Sequence, residues 1–455
     1  MTTSSLSRQT SPSLRAPAWL VLGALLGAVL GGSAAVLGPL SWLALLGVAA
    51  IAVALLAPSA AIPLVIVASA VNRYEVVWGP ARVRYDIIAV LLIAGVLAAC
   101  VAVRTLRLRD LYTPLALPLL AYVGINVVST VLFAVERTRG ISLDAELCAI
   151  FLAYVSLIFL LRTRADLERA LRWLWWITVI EAAIGVLAVA LFAAHVTDIG
   201  VQVDKSNFPM AYGTQWEGNI FGSFLLGNFF LLLADFTRSR RSRLQLTGLV
   251  VVVLGIAVSM TRTVWLALVL GLVIYLALSV AIRRAKSSIW LLLSLLPMIA
   301  MLGLLVGTVT PFGSRLLQVV DLQTSSASGR IVMYQVAIQE WRVHPLLGAG
   351  TGSFNFGAAP GLPHPWLANI FLLALHDTGI VGFGILLWLL WRLYRPLLRT
   401  VRTGGDMAAL AAGTIAGFTA LLLAFQATTG FWFMYTWIVA AIGFAATQFN
   451  RQTSE

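Results

Sequence analysis

Charge is scarce in this chain. Asp, Glu, Lys and Arg together make up 11% of its 455 residues, against 60% hydrophobic residues and a mean hydropathy of +0.95. A soluble domain carries about a quarter charged residues, so an ordinary soluble protein is excluded. Cysteine is nearly missing as well. The two present, Cys100 and Cys148, fall inside apolar stretches and read as small hydrophobes rather than as a disulfide or a metal pair. No HExxH, no CxxC and no acidic pair with ligand spacing occurs in the polar segments, so neither a metal nor another cofactor is expected. Internal repeats, low-complexity linkers and long polar segments on the inner side are also missing, which excludes a separate cytoplasmic catalytic domain. Any chemistry therefore belongs at the outer edge of a membrane or within it.

What is there instead is a succession of apolar blocks, at about 18–38, 40–57, 60–72, 86–103, 113–133, 145–161, 173–194, 218–236, 244–260, 263–282, 288–308, 368–393, 407–427 and 431–447. A block of roughly 20 residues crosses a hydrocarbon core of roughly 30 Å. The expected fold is all-α: a polytopic integral membrane helical bundle of twelve to fourteen spans. The lower number applies if two of the first three blocks are re-entrant or tilted. Only Gly38 and Pro39 separate the first two, and the third is short.

The formal charge of +13 suits nucleic acid in principle, but the basic residues sit in short loops between apolar blocks. With the amino terminus inside, 21 of the 31 Lys and Arg residues fall on inner loops and ten on outer ones, the bias expected of cytoplasmic loops. Orientation explains the charge, and no nucleic-acid partner is expected. Both termini then lie inside: a retained tail over 1–17, spans over 18–308 with outer loops at 73–85, 136–142 and 195–217, a large outer loop over 309–367, spans over 368–447, and a tail over 448–455. In the large loop, Ile331, Tyr334, Ile338 and Trp341 recur at helical spacing within 328–343. They predict an amphipathic helix lying on the membrane or on the other spans.

The outer cations run against the orientation rule and are the more informative for it. They are Arg73, Arg82, Arg84, Arg137, Arg139, Arg262, Arg315, Arg330, Arg342 and Lys205. Guanidinium forks match phosphate oxygens and stay charged when partly desolvated, so a cluster of them suits a diphosphate. For most of them headgroup snorkelling and loop ion pairs are the better account. Arg262 stands apart, because Ser259-Met260-Thr261-Arg262-Thr263 leaves almost no loop between two blocks and holds the charge at the bilayer edge.

His364, in Leu362-Pro363-His364-Pro365-Trp366, precedes a span and offers a base of ordinary pKa near 6.5. A capping or interfacial role is the alternative. His344 before Pro345 is placed to end the amphipathic helix. His376 and Asp377, about ten residues into a span, either line a cavity or pair with each other. Gly348, Gly350 and Gly352 predict a tight turn rather than a phosphate loop, since no Lys-Ser/Thr follows. Glu181 sits in mid-span without a sequence rationale.

The order of these features resembles the O-antigen ligase and O-antigen polymerase family. It comprises the Ser-x-x-Arg turn, Arg330-x-x-x-Tyr334, His344-Pro345-Leu346-Leu347-Gly348-Ala349-Gly350, His364 with Asn369-Ile370-Phe371-Leu372, and Asp377-Thr378-Gly379-Ile380-Val381-Gly382. The resemblance is close from about Asn219 to Gly382 and rests on topology before that. It implies a bacterial glycosyltransferase of the C-type membrane class, multi-pass in the cytoplasmic membrane with its active site on the outer face. Such an enzyme moves a glycan from an undecaprenyl-diphosphate carrier to a lipid, glycan or protein acceptor without a metal.

Carried over position by position, Arg262 and Arg330 match arginines that bind the diphosphate and His364 the catalytic base. Asp377 stands where glutamate is usual, and Trp216 to Asn219 match an aromatic and Asn stretch. Arg82, Arg84 and Arg137 are further candidates for the carrier. Pro365 replaces the usual Asn or Ser after the histidine. A secondary transporter or lipid flippase also needs many spans, but such proteins show two related halves around a midplane site. Here the halves are unrelated and the candidates gather at the outer edge. A structural subunit of an envelope complex is the third reading.

Overall fold

A computed structural model describes residues 58–78, 81–102, 113–203, 209–239, 242–282, 325–354, 367–428 and 430–452. The expected tail over 1–17, the first two apolar blocks, the block at 288–308 and His364 lie outside the described residues. Twelve α-helices are described: α1 (Ala61–Ala68), α2 (Tyr85–Ala102), α3 (Ala116–Phe133), α4 (Arg137–Leu160), α5 (Arg164–Ala193), α6 (Gly218–Arg238), α7 (Arg243–Val258), α8 (Arg262–Ala281), α9 (Ser325–Trp341), α10 (Ile370–Thr403), α11 (Ala408–Ala424) and α12 (Met434–Gln452). Six of these, α3 to α6, α8 and α10, are long and apolar enough to cross a membrane. The chain is thus mostly helical, in the manner of a polytopic membrane protein.

Local sequence starts these helices where polar residues precede apolar runs. Thr163 and Asp166 form a reciprocal capping box at α5, Ser242 and Gln245 do the same at α7, and Asn369 Oδ1 accepts from the Phe371 and Leu372 amides at α10. The expectation of an all-α chain needs one correction. Two short antiparallel hairpins interrupt it, β1 (Glu75–Trp78) with β2 (Ala81–Arg84) and β3 (Val201–Val203) with β4 (Pro209–Ala211). Both fall in segments expected to be outer loops, where a hairpin satisfies backbone groups that a bare loop leaves open.

The core is built around α6, which is apolar on every side and buried from Ile220 to Ala234. Phe221, Phe224, Phe229 and Phe230 project from it, and α11 approaches closely through glycine and alanine. By contrast α5 turns Trp173, Trp176, Ile180, Ile184 and Leu187 outward at helical spacing, as a lipid-facing side does.

Element ends sort into two groups. At one end Arg238 pairs with Glu168 at 2.8 Å and Asp235 at 2.7 Å, Arg164 pairs with Asp406, and Arg392 donates to the Pro114 carbonyl at 3.2 Å. The other end gathers both hairpins, the α7–α8 turn, α9 and the start of α10.

Candidate active site at the hairpin end

Arg262 opens α8 directly after a three-residue turn. Ser259 Oγ donates to the Ile256 carbonyl at 2.7 Å, Thr261 Oγ1 donates to the Ser259 carbonyl at 3.0 Å, and Met260 sits at φ +52°, a conformation side chains rarely adopt. Such a tight return sets Arg262 in the first helical turn, where the helix's own partial positive charge already repels a cation and attracts an anion. α6 closes over this turn. A Cβ on Gly218 would stand 2.9 Å from the Ser259 carbonyl and one on Gly222 2.7 Å from Ser259 Oγ, so the α6 start that carries half-buried Asn219 abuts the arginine turn.

Arg330 lies on α9, and burial pulls its guanidinium below the ordinary arginine value. Among the described residues no carboxylate stands within ion-pair distance of it. A partly desolvated cation in that state favours an incoming anion. One turn along the helix, Tyr334 Oη donates to the Gln426 carbonyl at 2.9 Å and reaches the Ala368 carbonyl at 3.4 Å. Met333 and Ala337 are buried with Phe354 and Leu367.

This corrects the bounds of the expected amphipathic helix. It runs from Ser325 to Trp341 rather than 328–343. Its inward side is the Met333 and Ala337 side, leaving Ile331 and Ile338 56% and 36% exposed. The small Ala337 lets α9 approach its neighbours where Ile338 would hold it off.

Beyond α9 the glycine segment forms the expected turn, with Gly348, Gly350 and Gly352 all at positive φ. Its docking partner is a break in α10 at Gly379 (φ 66°). The backbone groups freed by the break are taken up by the turn. Ala349 and Gly350 amides donate to the His376 and Asp377 carbonyls at 2.8 and 3.2 Å, while Ile380 and Val381 amides donate to the Pro345 and Leu346 carbonyls at 3.0 and 3.2 Å. Ser129 Oγ of α3 also donates to the Asp377 carbonyl at 2.6 Å. Broken helices persist in membranes only when protein satisfies them in this way.

His376 and Asp377 do pair, Nδ1 to Oδ1 at 2.6 Å, and the other ring nitrogen of His376 meets Glu340 Oε2 of α9 at 2.9 Å. Asp377 Oδ2 accepts from the Gly352 amide at 3.3 Å. With both oxygens engaged, Asp377 is buried behind the surface rather than open to it.

The remaining candidates are spread around the same end. Arg84 holds Asp86 by both fork nitrogens at 3.1 Å and Glu146 at 3.3 Å, and lies over the Phe433 ring at 5.1 Å. Burial alone lowers its pKa, but these carboxylates outweigh that and raise it overall. Arg82 is described in its backbone only, paired with Val77. Arg137 begins α4 at the rim of an open cavity of about 610 Å³ lined by Val135, Glu136, Thr138, Arg139 and Leu143. Glu181 accepts from the Thr214 amide at 2.7 Å and hydroxyl at 2.9 Å, and so ties α5 to the loop leading into α6. Arg73 stacks on Tyr212 at 3.9 Å in the same loop.

The elements that carry Arg84, Arg137, Asn219, Arg262 and Arg330 therefore meet at one end of the bundle, and Asp377 lies about two turns into α10. Sequence reasoning passed over Glu340, Glu146, Thr214 and Ser129. Glu340 alone left a trace, as an acid on the apolar side of a helix. The others are ordinary polar residues until a partner far along the chain meets them.

Comparison with known families matches residues 247–387 to the model described as O-antigen ligase. That stretch, similar to the O-antigen ligase family, runs from α7 through the Arg262 turn, α8 and α9 into the first half of α10. No curated protein matches the chain.

Proposed function

We propose, from the match to the O-antigen ligase family and the arginines at the hairpin end, that the chain moves a glycan from an undecaprenyl-diphosphate carrier to a lipid, glycan or protein acceptor. It acts as a ligase or polymerase at the outer face of the bacterial cytoplasmic membrane, with twelve to fourteen spans and both termini inside. A diphosphate is already a good leaving group, so the enzyme must orient the acceptor, remove its proton and stabilise charge on the departing phosphate. His364 takes the proton of the acceptor hydroxyl. The acceptor oxygen then forms its bond to the anomeric carbon with inversion as the carbon–oxygen bond to the diphosphate breaks, and the bonding pair leaves with the diphosphate. Arg262 and Arg330 hold that anion.

Arg82, Arg137 and Asn219 extend the carrier site. Arg84, its fork divided between Asp86 and Glu146, and Asp377, through the glycine turn, support it from behind. No metal takes part in this scheme.

The observation that carries the reading is Arg330 itself, a half-buried guanidinium on a helix packed against Leu367, within the stretch matched to the O-antigen ligase family. Leu367 follows His364 by three positions in the chain. The test is transfer from a synthetic undecaprenyl-diphosphate oligosaccharide by purified protein with EDTA present. Wild-type turnover that falls by about 10²-fold or more in His364→Ala and Arg262→Ala is expected. Carrier movement in proteoliposomes without any turnover would overturn the enzyme in favour of a flippase.

A further inference from the structure

The Glu340–His376–Asp377 cluster links α9 to α10, and the scheme above gives its histidine and glutamate no role. Both ring nitrogens of His376 face carboxylate oxygens, Asp377 at 2.6 Å and Glu340 at 2.9 Å. Ionised carboxylates only accept, so the cluster shares its protons as one unit, with the ring as cation or one carboxyl protonated. His376 is fully buried, and Phe354 packs against its ring edge-on at 5.5 Å. Buried ionic contacts contribute little net stability compared with apolar packing of the same volume, and their best-attested use is to select one register.

The register here is that of α9 against α10. Arg330, Met333, Tyr334, Ala337 and Glu340 recur at the spacing of one helical side. Glu340 is tied at one end of that side, Tyr334 is tied to the Gln426 carbonyl in the middle, and Arg330 projects at the other end. Ile331 and Ile338, which flank that side, are exposed and set no roll. On the α10 side the anchor is rigid, because Asp377 is stapled through its carbonyl to Gly350 and Ser129 and through its carboxylate to Gly352.

We infer that half-buried Glu340 and buried His376 and Asp377 form a positioning relay that sets the roll of α9 against the break in α10, and thereby aims Arg330. This rests on the reading of Arg330 as a carrier-binding residue. Glu340 and His376 are positioning residues, acting through α9 and touching no substrate.

Two measurements test it. In the transfer assay, Glu340→Gln and His376→Asn keep the shape and remove the charge. Each is expected to lower kcat/KM by up to about 10²-fold, the cost of an ångström-scale misplacement. Glu340→Asp is expected to recover part of the loss. In an Arg330→Ala background the same changes are expected to cost nothing further, since what they aim is gone. Additive losses there would overturn the link to Arg330, because independent sites add.

The second measurement needs no activity. Nitroxides are placed at Gln335→Cys on α9 and Trp391→Cys on α10, with Cys100 and Cys148 replaced by serine, and the distance distribution is read by pulsed electron resonance. A shifted or broadened distribution in Glu340→Gln and His376→Asn is expected. An unchanged distribution overturns the relay whatever the assay shows. A shift in a protein that transfers nothing leaves the relay standing and overturns the carrier reading instead.

Discussion

Asp377 shows what a single residue gains from its surroundings. By resemblance it belongs among the substrate contacts, yet it is 2% exposed and both of its carboxylate oxygens are engaged. Arg84 is the same lesson with the opposite sign, a guanidinium whose fork is filled by Asp86 and Glu146. Replacing Arg84 with alanine leaves two acids near one another without their cation, a loss of about 3 kcal/mol or more for a buried pair. Arg84→Lys is expected to recover little of it, because one ammonium cannot reproduce the bidentate contact. Thermal unfolding in detergent checks both.

Gly379 supplies the other residue-scale prediction. At φ 66° and with the space for a Cβ only 2.3 Å from the Leu346 carbonyl carbon, alanine there meets strain and backbone together. Gly379→Ala is expected to cost about 1 to 3 kcal/mol from the dihedral alone, read as a lower unfolding midpoint and loss of transfer.

At the scale of elements, α9 and α10 were both readable as helices, and their working sides were not. Periodicity in 328–343 picked Ile331, Tyr334, Ile338 and Trp341, because larger apolar residues dominate any hydropathy pattern. Of these Tyr334 packs inward, beside Met333 and the small Ala337, while Ile331 and Ile338 are exposed. The two hairpins were missed for a related reason. Four-residue and three-residue strands are too short for alternation to separate them from loops. Tyr334→Phe tests the middle tie of α9. It removes the bond to the Gln426 carbonyl and is expected to cost about 1 kcal/mol of stability. Transfer should fall much less than in Arg330→Ala, because the relay and the Met333 contact still hold the helix. An equal loss would place Tyr334 in the binding machinery itself.

For the molecule as a whole, the division of element ends into two groups is the property that matters most. The hairpins, the Arg262 turn and α9 share one end, and the ion pairs of Arg164, Arg238 and their acids the other. In a background without native cysteines, exposed Asp198→Cys in whole cells or spheroplasts is expected to react with a membrane-impermeant maleimide added outside. Ser242→Cys is expected to react only after permeabilisation. Labelling of both from one side would overturn the proposed orientation.

Hydropathy and charge along the chain are one-dimensional quantities, and what depends on them alone was determined by the sequence. That includes the helical class, the presence of several helices able to span, and the arginine that opens α8 after an almost absent loop. Desolvation acts on each segment separately, so each can be read separately. The partners of His376, Asp377, Arg84 and Glu181 were decided only by tertiary structure. Each depends on a contact between elements distant in the chain, such as Glu340 with His376, or the Gly348–Gly352 turn with the break at Gly379. A broken helix must borrow its hydrogen bonds from another segment. Which segment lends them is settled by packing, and packing has no signature in a string of residues until the chain has folded.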